Sequence, residues 1–521
     1  MRHTGITVVA CVLFAAAQAS AFAAQAPVVS TQQGRISGVV QNGADTYLGI
    51  PYARPPVGPL RWHAPVRPAS WHGVRDGSKF GPNCYQDPPR AFGPYTPEFL
   101  VDSQGSEDCL YLNVWTPATH GPAKPVLFWI HGGGFGSGSA AMPIYNGSRL
   151  AAKGVVVVGI NYRLGVFGFL AHPELTAESP RHTSGNYGLL DMIAALRWVQ
   201  QNIAQFGGDP RRVTIVGQSA GAGAVNDLLL TPDAKGLFVA GIAESGSGGG
   251  GAPPQTLAQA EGQGAAIANK LGAHSLAELR AASAEALLDA SRGPPPGGPP
   301  GIRMAPVVDG QVLPAAASDP AARLVSNVPL LTGFNIDEVG LAGRDHKTSQ
   351  ADFEAAVHKQ YGAHADPILT LYDHGSDEEA SGSALQLARD RTMGNLVLWA
   401  QARARRSGEP IYAYVWDHPY PVPDSARWGA FHTSEVPYVF GALDTPDRAF
   451  TDQDKQVSDQ IQSYWINFMR RGNPNPPGQS SWPRVTAGSA EVMELGDHPG
   501  VRPAVSSPER LAALHDAAAG G

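Results

Sequence analysis

Three stretches of the chain are nearly unbroken runs of strand-favouring residues: Val126-Leu127-Phe128-Trp129-Ile130, Val155-Val156-Val157-Val158 and Val213-Thr214-Ile215-Val216. Such runs predict strands buried on both faces, as in a parallel sheet. Between the second and the third, residues 189–204 place Leu190, Ile193, Ala194, Leu196, Trp198 and Val199 at helical spacing. Earlier, Leu110-Tyr111-Leu112-Asn113-Val114-Trp115 alternates as a strand does. Residues 28–117 otherwise read as short strands and turns broken by prolines. Past Leu230 the pattern loosens: helices are expected within 255–290, 350–408 and 461–470, and strands at 328–332 and 411–416. Strand, strand, helix, strand, helix in this order predicts an α/β fold with a mostly parallel sheet. The one low-complexity stretch, 293–301, suits a linker or a surface loop equally.

Composition adds compartment and partners. The 521 residues carry 45 acids against 38 Lys and Arg, a net charge of -7, which argues against nucleic acid or an anionic membrane as partner. Arg2, an apolar run over 6–17 and Ala21-Phe22-Ala23 have the form of a secretory signal, with cleavage expected after Ala23. That run is short for a membrane span and no later one is long enough, so no membrane anchoring is expected once the signal is removed. The protein is therefore expected in the periplasm or secreted. Of the cysteines, Cys11 leaves with the signal, and Cys84 and Cys109 remain to form one disulfide in an oxidising compartment. No metal-ligand spacing is present, so no metal and no cofactor are expected. Gly246-x-Gly248-x-x-Gly251 matches a dinucleotide fingerprint formally, but Ala252-Pro253-Pro254 follows it instead of a helix start.

The third buried run continues into Gly217-Gln218-Ser219-Ala220-Gly221 and then small residues that can open a helix. Gly-x-Ser-x-Gly between strand and helix is the sequence form of a nucleophile elbow, a tight turn that lifts a serine above the sheet edge. A Cβ at Gly217 or Gly221 would collide with the neighbouring strand or helix. A serine hydroxyl is a weak nucleophile near neutral pH and needs a base, which in turn needs an acid to hold its tautomer. Asp337 and Glu338 lie just beyond the strand at 328–332, and Asp309 precedes it. His418 and His432 both follow the strand at 411–416. Spacing alone does not choose among them.

Longer segments carry a resemblance. Phe206-Gly207-Gly208-Asp209-Pro210 through Gly217-Gln218-Ser219-Ala220-Gly221 resembles the serine signature of the type-B carboxylesterases. This branch of the α/β-hydrolase fold includes bacterial para-nitrobenzyl esterases, animal carboxylesterases and cholinesterases. Glu107-Asp108-Cys109-Leu110-Tyr111-Leu112-Asn113-Val114-Trp115-Thr116-Pro117 is similar to the second signature. Asn161-Tyr162-Arg163-Leu164-Gly165 and Gly185-Asn186-Tyr187-Gly188-Leu189-Leu190-Asp191 match further family segments. The likeness runs from about Val29 to about Trp482. It implies one α/β-hydrolase catalytic domain over 24–521, with a mostly parallel central sheet, flanking helices, and helical and loop insertions that form an active-site gorge. It implies Ser219 as nucleophile, Glu338 as triad acid and His432 as triad base. It implies an oxyanion hole from the amides of Gly133, Gly134 and Ala220, and a Cys84–Cys109 disulfide.

The resemblance also shapes the substrate expectation. Cholinesterases carry an acid immediately before the serine and a tryptophan in the first disulfide loop. Here Gln218 precedes the serine, and the loop has Tyr85, Phe92, Tyr95 and Phe99 but no tryptophan, which disfavours a choline site. These aromatics and Phe135 are candidates either to line a gorge or to pack in the core. The expectation is a small-molecule ester, bulky or from a broad set: aryl, xenobiotic or mycotoxin. A non-catalytic adhesion member of the family and an acyltransferase are the alternatives.

Overall fold

The computed structural model describes residues 25–519 except 88–89, 119–120, 248–253, 293–301, 320, 339–342 and 447. The expected signal over 1–23, Gly248 to Gly251 of the dinucleotide pattern and the stretch 293–301 lie outside the described residues. Among the described residues no helix is long and apolar enough to cross a membrane.

The amino-terminal strands are β1 (Gln25–Ser30), β2 (Arg35–Gln41), β3 (Ala44–Pro51), β4 (Val74–Asp76) and β5 (Tyr111–Pro117). The central ones are β6 (Lys124–Ile130), β7 (Val156–Ile160), β8 (Gly208–Gln218) and β9 (Ala240–Glu244). A two-residue pair, β10 (Gln255–Thr256) and β11 (Val307–Val308), stands apart. Then come β12 (Leu330–Asn335), β13 (Ile411–Asp417), β14 (Glu491–Gly496) and β15 (Gly500–Pro503). One sheet of thirteen strands runs β1-β2-β3-β5-β7-β6-β8-β9-β12-β13-β14-β15, with β4 beside β2. From β7 across to β14 every pairing is parallel, while the outer pairs are mostly antiparallel. Parallel strands deliver all their carboxyl ends to one edge, and the loops that matter leave from there.

The apolar runs are buried on both faces, as their composition requires. Val126, Phe128 and Ile130 of β6 join one core with Leu196 and Val199 of helix Tyr187–Asn202 and Val225 of helix Ala220–Leu230. The alternate residues Leu127 and Trp129 join a second core with Trp465 and Phe468 of helix Asp452–Arg471. Each such side chain removed from water contributes roughly 1.5–3 kcal/mol, so helices cover both faces of the sheet.

Four elements depart from expectation. Strand β9 reads Ala-Gly-Ile-Ala-Glu and lacks a branched run, yet it lies centrally between β8 and β12. Its glycine sits close to its neighbours: a Cβ on Gly241 would meet the Leu330 and Val225 side chains at 3.3 Å, a tight approach. Helix Asp452–Arg471 begins well before the expected 461, because Thr451 and Asp454 form a reciprocal capping box ahead of its polar first turns. Strands β14 and β15 complete the far edge beyond the segments anticipated.

Candidate active site

Strand β8 ends at Gln218 and a helix starts at Ala220, leaving Ser219 alone at the corner with φ 58° and ψ -123°. A non-glycine residue in this region is strained by about 1–3 kcal/mol and persists only where its surroundings hold it. They do: the Ser219 N–H donates to the Glu244 carbonyl at 2.8 Å, and the Gly223 N–H donates back to the Ser219 carbonyl at 3.0 Å. The flanking glycines are steric necessities. A Cβ on Gly217 would lie 2.5 Å from Gly221 backbone, and one on Gly221 would lie 2.0 Å from the Ile130 carbonyl oxygen.

Loops after β12 and β13 meet beside this corner. His432 Nδ1 lies 2.5 Å from Glu338 Oε2, with the ring N–H donating. Glu338 is itself held: its Oε1 accepts from the Ser245 hydroxyl at 2.5 Å and from the Asn335 N–H at 3.0 Å. Burial disfavours the charged imidazole, but the charge and hydrogen bond of Glu338, with Glu435 adding, hold His432 above its ordinary value. The other candidates have different occupations. Asp337, 1% exposed, pairs with Arg389 and accepts from the Ala430 N–H at 3.0 Å, clamping the acid loop to the histidine loop. Asp309 closes its own turn through the Gln311, Val312 and Leu313 amides. His418 is buried between Asp497 at 2.7 Å and Asp454 at 3.0 Å.

Ser219 and His432 line one cavity of about 760 Å³, with Gly132, Gly133, Gln218, Met142 and Tyr145 among its walls. Among the hydrogen bonds of the described residues, none joins the Ser219 hydroxyl to His432. The imidazole Nε2 instead lies 3.2 Å from Gln218 Nε2, an amide N–H donor that suits the Nδ1-protonated tautomer. Gly133 adopts φ 106° and Gly134 φ 63° in the loop after β6. Gly133 is a wall residue, whereas Gly134 and Ala220 are not among the wall residues, though each follows one in sequence. The Gly133 carbonyl is turned away into its own loop, where it accepts from the Gly136 and Ser137 amides. His131, ahead of the glycines, is fully buried, stacks on Tyr162 and is pushed down to about 4 by burial, so it stands neutral.

Cys84 and Cys109 are joined as a disulfide. Of the aromatics in the loop it closes, Phe92, Tyr95 and Phe99 line the cavity, and the Tyr95 hydroxyl donates to the His432 carbonyl at 3.0 Å. Tyr85 packs edge-on against Phe167 and Phe135 against Phe169 instead. Sequence reading also missed Ser245, the Gln218–His432 contact and two buried carboxylates beneath the histidine loop. Glu244 accepts from the Trp465 indole at 2.7 Å and Glu435 from the Asn335 amide at 2.6 Å. Burial pushes both acids upward, with the charge of Glu435 adding for Glu244 and the charge of Glu338 adding for Glu435. Position was a signal only for Gln218, beside the elbow serine, and for Glu435, three residues after His432; Glu244 and Ser245 end and follow β9, a strand the sequence did not predict.

A strand-to-helix elbow on the carboxyl edge of a mostly parallel sheet is the mark of the α/β hydrolases, and that is the class this fold belongs to. Residues 25–510 match the model of the carboxylesterase family. The chain is 38% identical to the para-nitrobenzyl esterase of Bacillus subtilis (strain 168), over 90% of this chain and 94% of that one. It is 37% identical to the fumonisin B1 esterase of Sphingopyxis macrogoltabida, over 90% and 86%. A solved PNB esterase superposes with a TM-score of 0.77 at 36% identity, covering 94% of this chain and 99% of that one. The chain belongs to the carboxylesterase family and is a carboxylic ester hydrolase.

Proposed function

We propose that this protein is an exported serine carboxylesterase that works through an acyl-enzyme, with its catalytic domain in residues 24–521 after loss of 1–23. Ser219 attacks the ester carbonyl while His432 Nε2 takes the hydroxyl proton, and Glu338 orients the ring and stabilises the imidazolium. The carbonyl oxygen becomes an oxyanion that accepts from the amides of Gly133, Gly134 and Ala220. Ala220 opens a helix, so its N–H has no carbonyl four residues back and is free for this use. His432 then protonates the departing alcohol. Water, deprotonated by the same imidazole, attacks the acyl carbonyl and releases the acid. Gln218 must yield Nε2 before the first step; such catalytic contacts commonly tighten only when substrate binds.

The observation that carries this reading is the 2.5 Å pair of Glu338 and His432 facing the cavity into which the elbow raises Ser219. A bulky or broad ester substrate, of aryl, xenobiotic or mycotoxin type, fits a cavity of this volume with Phe92, Tyr95, Phe99 and Tyr145 on its walls. The test is a panel of esters graded in acyl and alcohol size. Turnover should persist for aryl and bulky esters and fall by about 10^6-fold for Ser219→Ala, since the triad acts as a unit. Undiminished hydrolysis by purified Ser219→Ala would remove the assignment.

A further inference from the structure

Among the described residues, buried arginines have acidic partners with one exception. Arg163 is bonded twice by Asp191 at 2.8 Å, and Arg61 pairs with Glu107 at 2.5 Å. Arg403, near the end of helix Asp377–Ala404, is 6% exposed, and its Nε and one terminal nitrogen have no hydrogen-bond partner. The Trp399 ring lies 5.6 Å from its guanidinium. Burial pulls the group down to about 10. A cation withdrawn from water without a counter-charge is costly, so its retention asks what compensates it.

Arg403 lines a cavity of about 300 Å³ that shares no wall residue with the active-site cavity. Arg323 and Arg406 line it too, and among the described residues neither they nor Arg403 is in an ion pair with a carboxylate. Arg406 donates to the Ala321 carbonyl at 3.0 Å, which still leaves donors over. Asp319 is the one acid on the walls, and it accepts from the Ala321 amide at 2.7 Å. Three guanidiniums against one carboxylate leave a positive excess. Leu230 and Trp399 supply apolar wall beside it. Guanidiniums present forked donors that match the paired oxygens of carboxylates and phosphates.

We propose that this cavity is a binding site for a compact oxyanion, a small organic carboxylate or a phosphate, held by Arg403 and Arg323 with Arg406 at its side. A carboxylate with a short apolar tail would place that tail on Trp399 and Leu230. Leu230 ends the helix that starts at the elbow, so an occupant would touch the element that carries Ser219 at its other end.

The test titrates the full-length mature protein with sodium phosphate and, separately, sodium hexanoate, reading Tm against sodium chloride at matched ionic strength. The expected result is a saturable rise in Tm with at least one of them. A response to phosphate alone assigns the inorganic anion, and a preference for hexanoate assigns the carboxylate. The response should weaken about tenfold in Arg323→Gln and vanish in Arg403→Met, with hydrolysis of para-nitrophenyl acetate retained in both without added anion. Should Arg403→Met not fold, Arg406→Gln joins Arg323→Gln as the second variant. No response in the parent protein, or one undiminished in both variants, overturns the proposal.

Discussion

At the scale of single residues, two neighbouring acids have opposite tasks. Successive residues of an extended segment point to opposite sides, so Glu338 reaches His432 while Asp337 turns to Arg389 and the Ala430 amide. Glu338→Gln should lower kcat by about 10^4-fold with little change in Tm, the effect of neutralising the orienting acid of a triad. Asp337→Asn should instead cost about 1–3 kcal/mol of stability, because the partly buried Arg389 loses its counter-charge and the buried site its charged acceptor; paired urea melts and kinetics separate the two. Gln218 gives a prediction of defined sign. His432 works as a base only when neutral, so the rate rises with pH through its pKa, which already lies above the ordinary imidazole value. Gln218→Glu puts a carboxylate beside Nε2, favours the imidazolium, and should move the acid limb of kcat/KM to higher pH by about one unit. An unmoved limb would mean that the amide does not face the working imidazole.

At the scale of elements, the elbow depends on a strand and a helix approaching closer than side chains allow. Gly221→Ala would drive a methyl against the Ile130 carbonyl, a backbone atom that cannot step aside, and should cost about 1–3 kcal/mol or more along with activity. Gly223→Ala, two residues on, meets only the Phe135 ring at 3.7 Å. It should be neutral or stabilise by up to about 1 kcal/mol through helix propensity. Denaturant unfolding of the two variants side by side checks the contrast, since equal effects would remove the steric account. The aromatic loop closed by Cys84–Cys109 works at the same scale. Phe92, Tyr95 and Phe99 wall the cavity, and Tyr95 and Phe99 also stack behind Phe431, the residue before His432. Lining and packing are therefore one function of this loop, not alternatives.

At the scale of the whole molecule, the export reading predicts a mature protein beginning at Ala24, which intact-mass analysis of exported protein checks. Cys84→Ser should then lower stability by roughly 3–4 kcal/mol on the chain-entropy account of a loop of 25 residues. Much of the molecule was legible along the chain: the buried runs of β6, β7 and β8, the elbow glycines and the α/β order all follow from local pattern, because burial and steric need act on neighbours in sequence. Strand β9 was not legible, since it lacks a branched run and its Gly241 packs close to Leu330 and Val225 from other elements. Nor could spacing choose Glu338 over Asp337 and Asp309, or His432 over His418; only the family resemblance did so. The sequence by itself determined that the runs of β6, β7 and β8 are buried strands and where the serine corner lies. The tertiary structure alone decided which acid faces which histidine, that Gln218 meets Nε2 and that Arg403 is buried without an acid. Those contacts join residues far apart in the chain, and they are set by strand order and register across the sheet, which no local pattern of residues encodes.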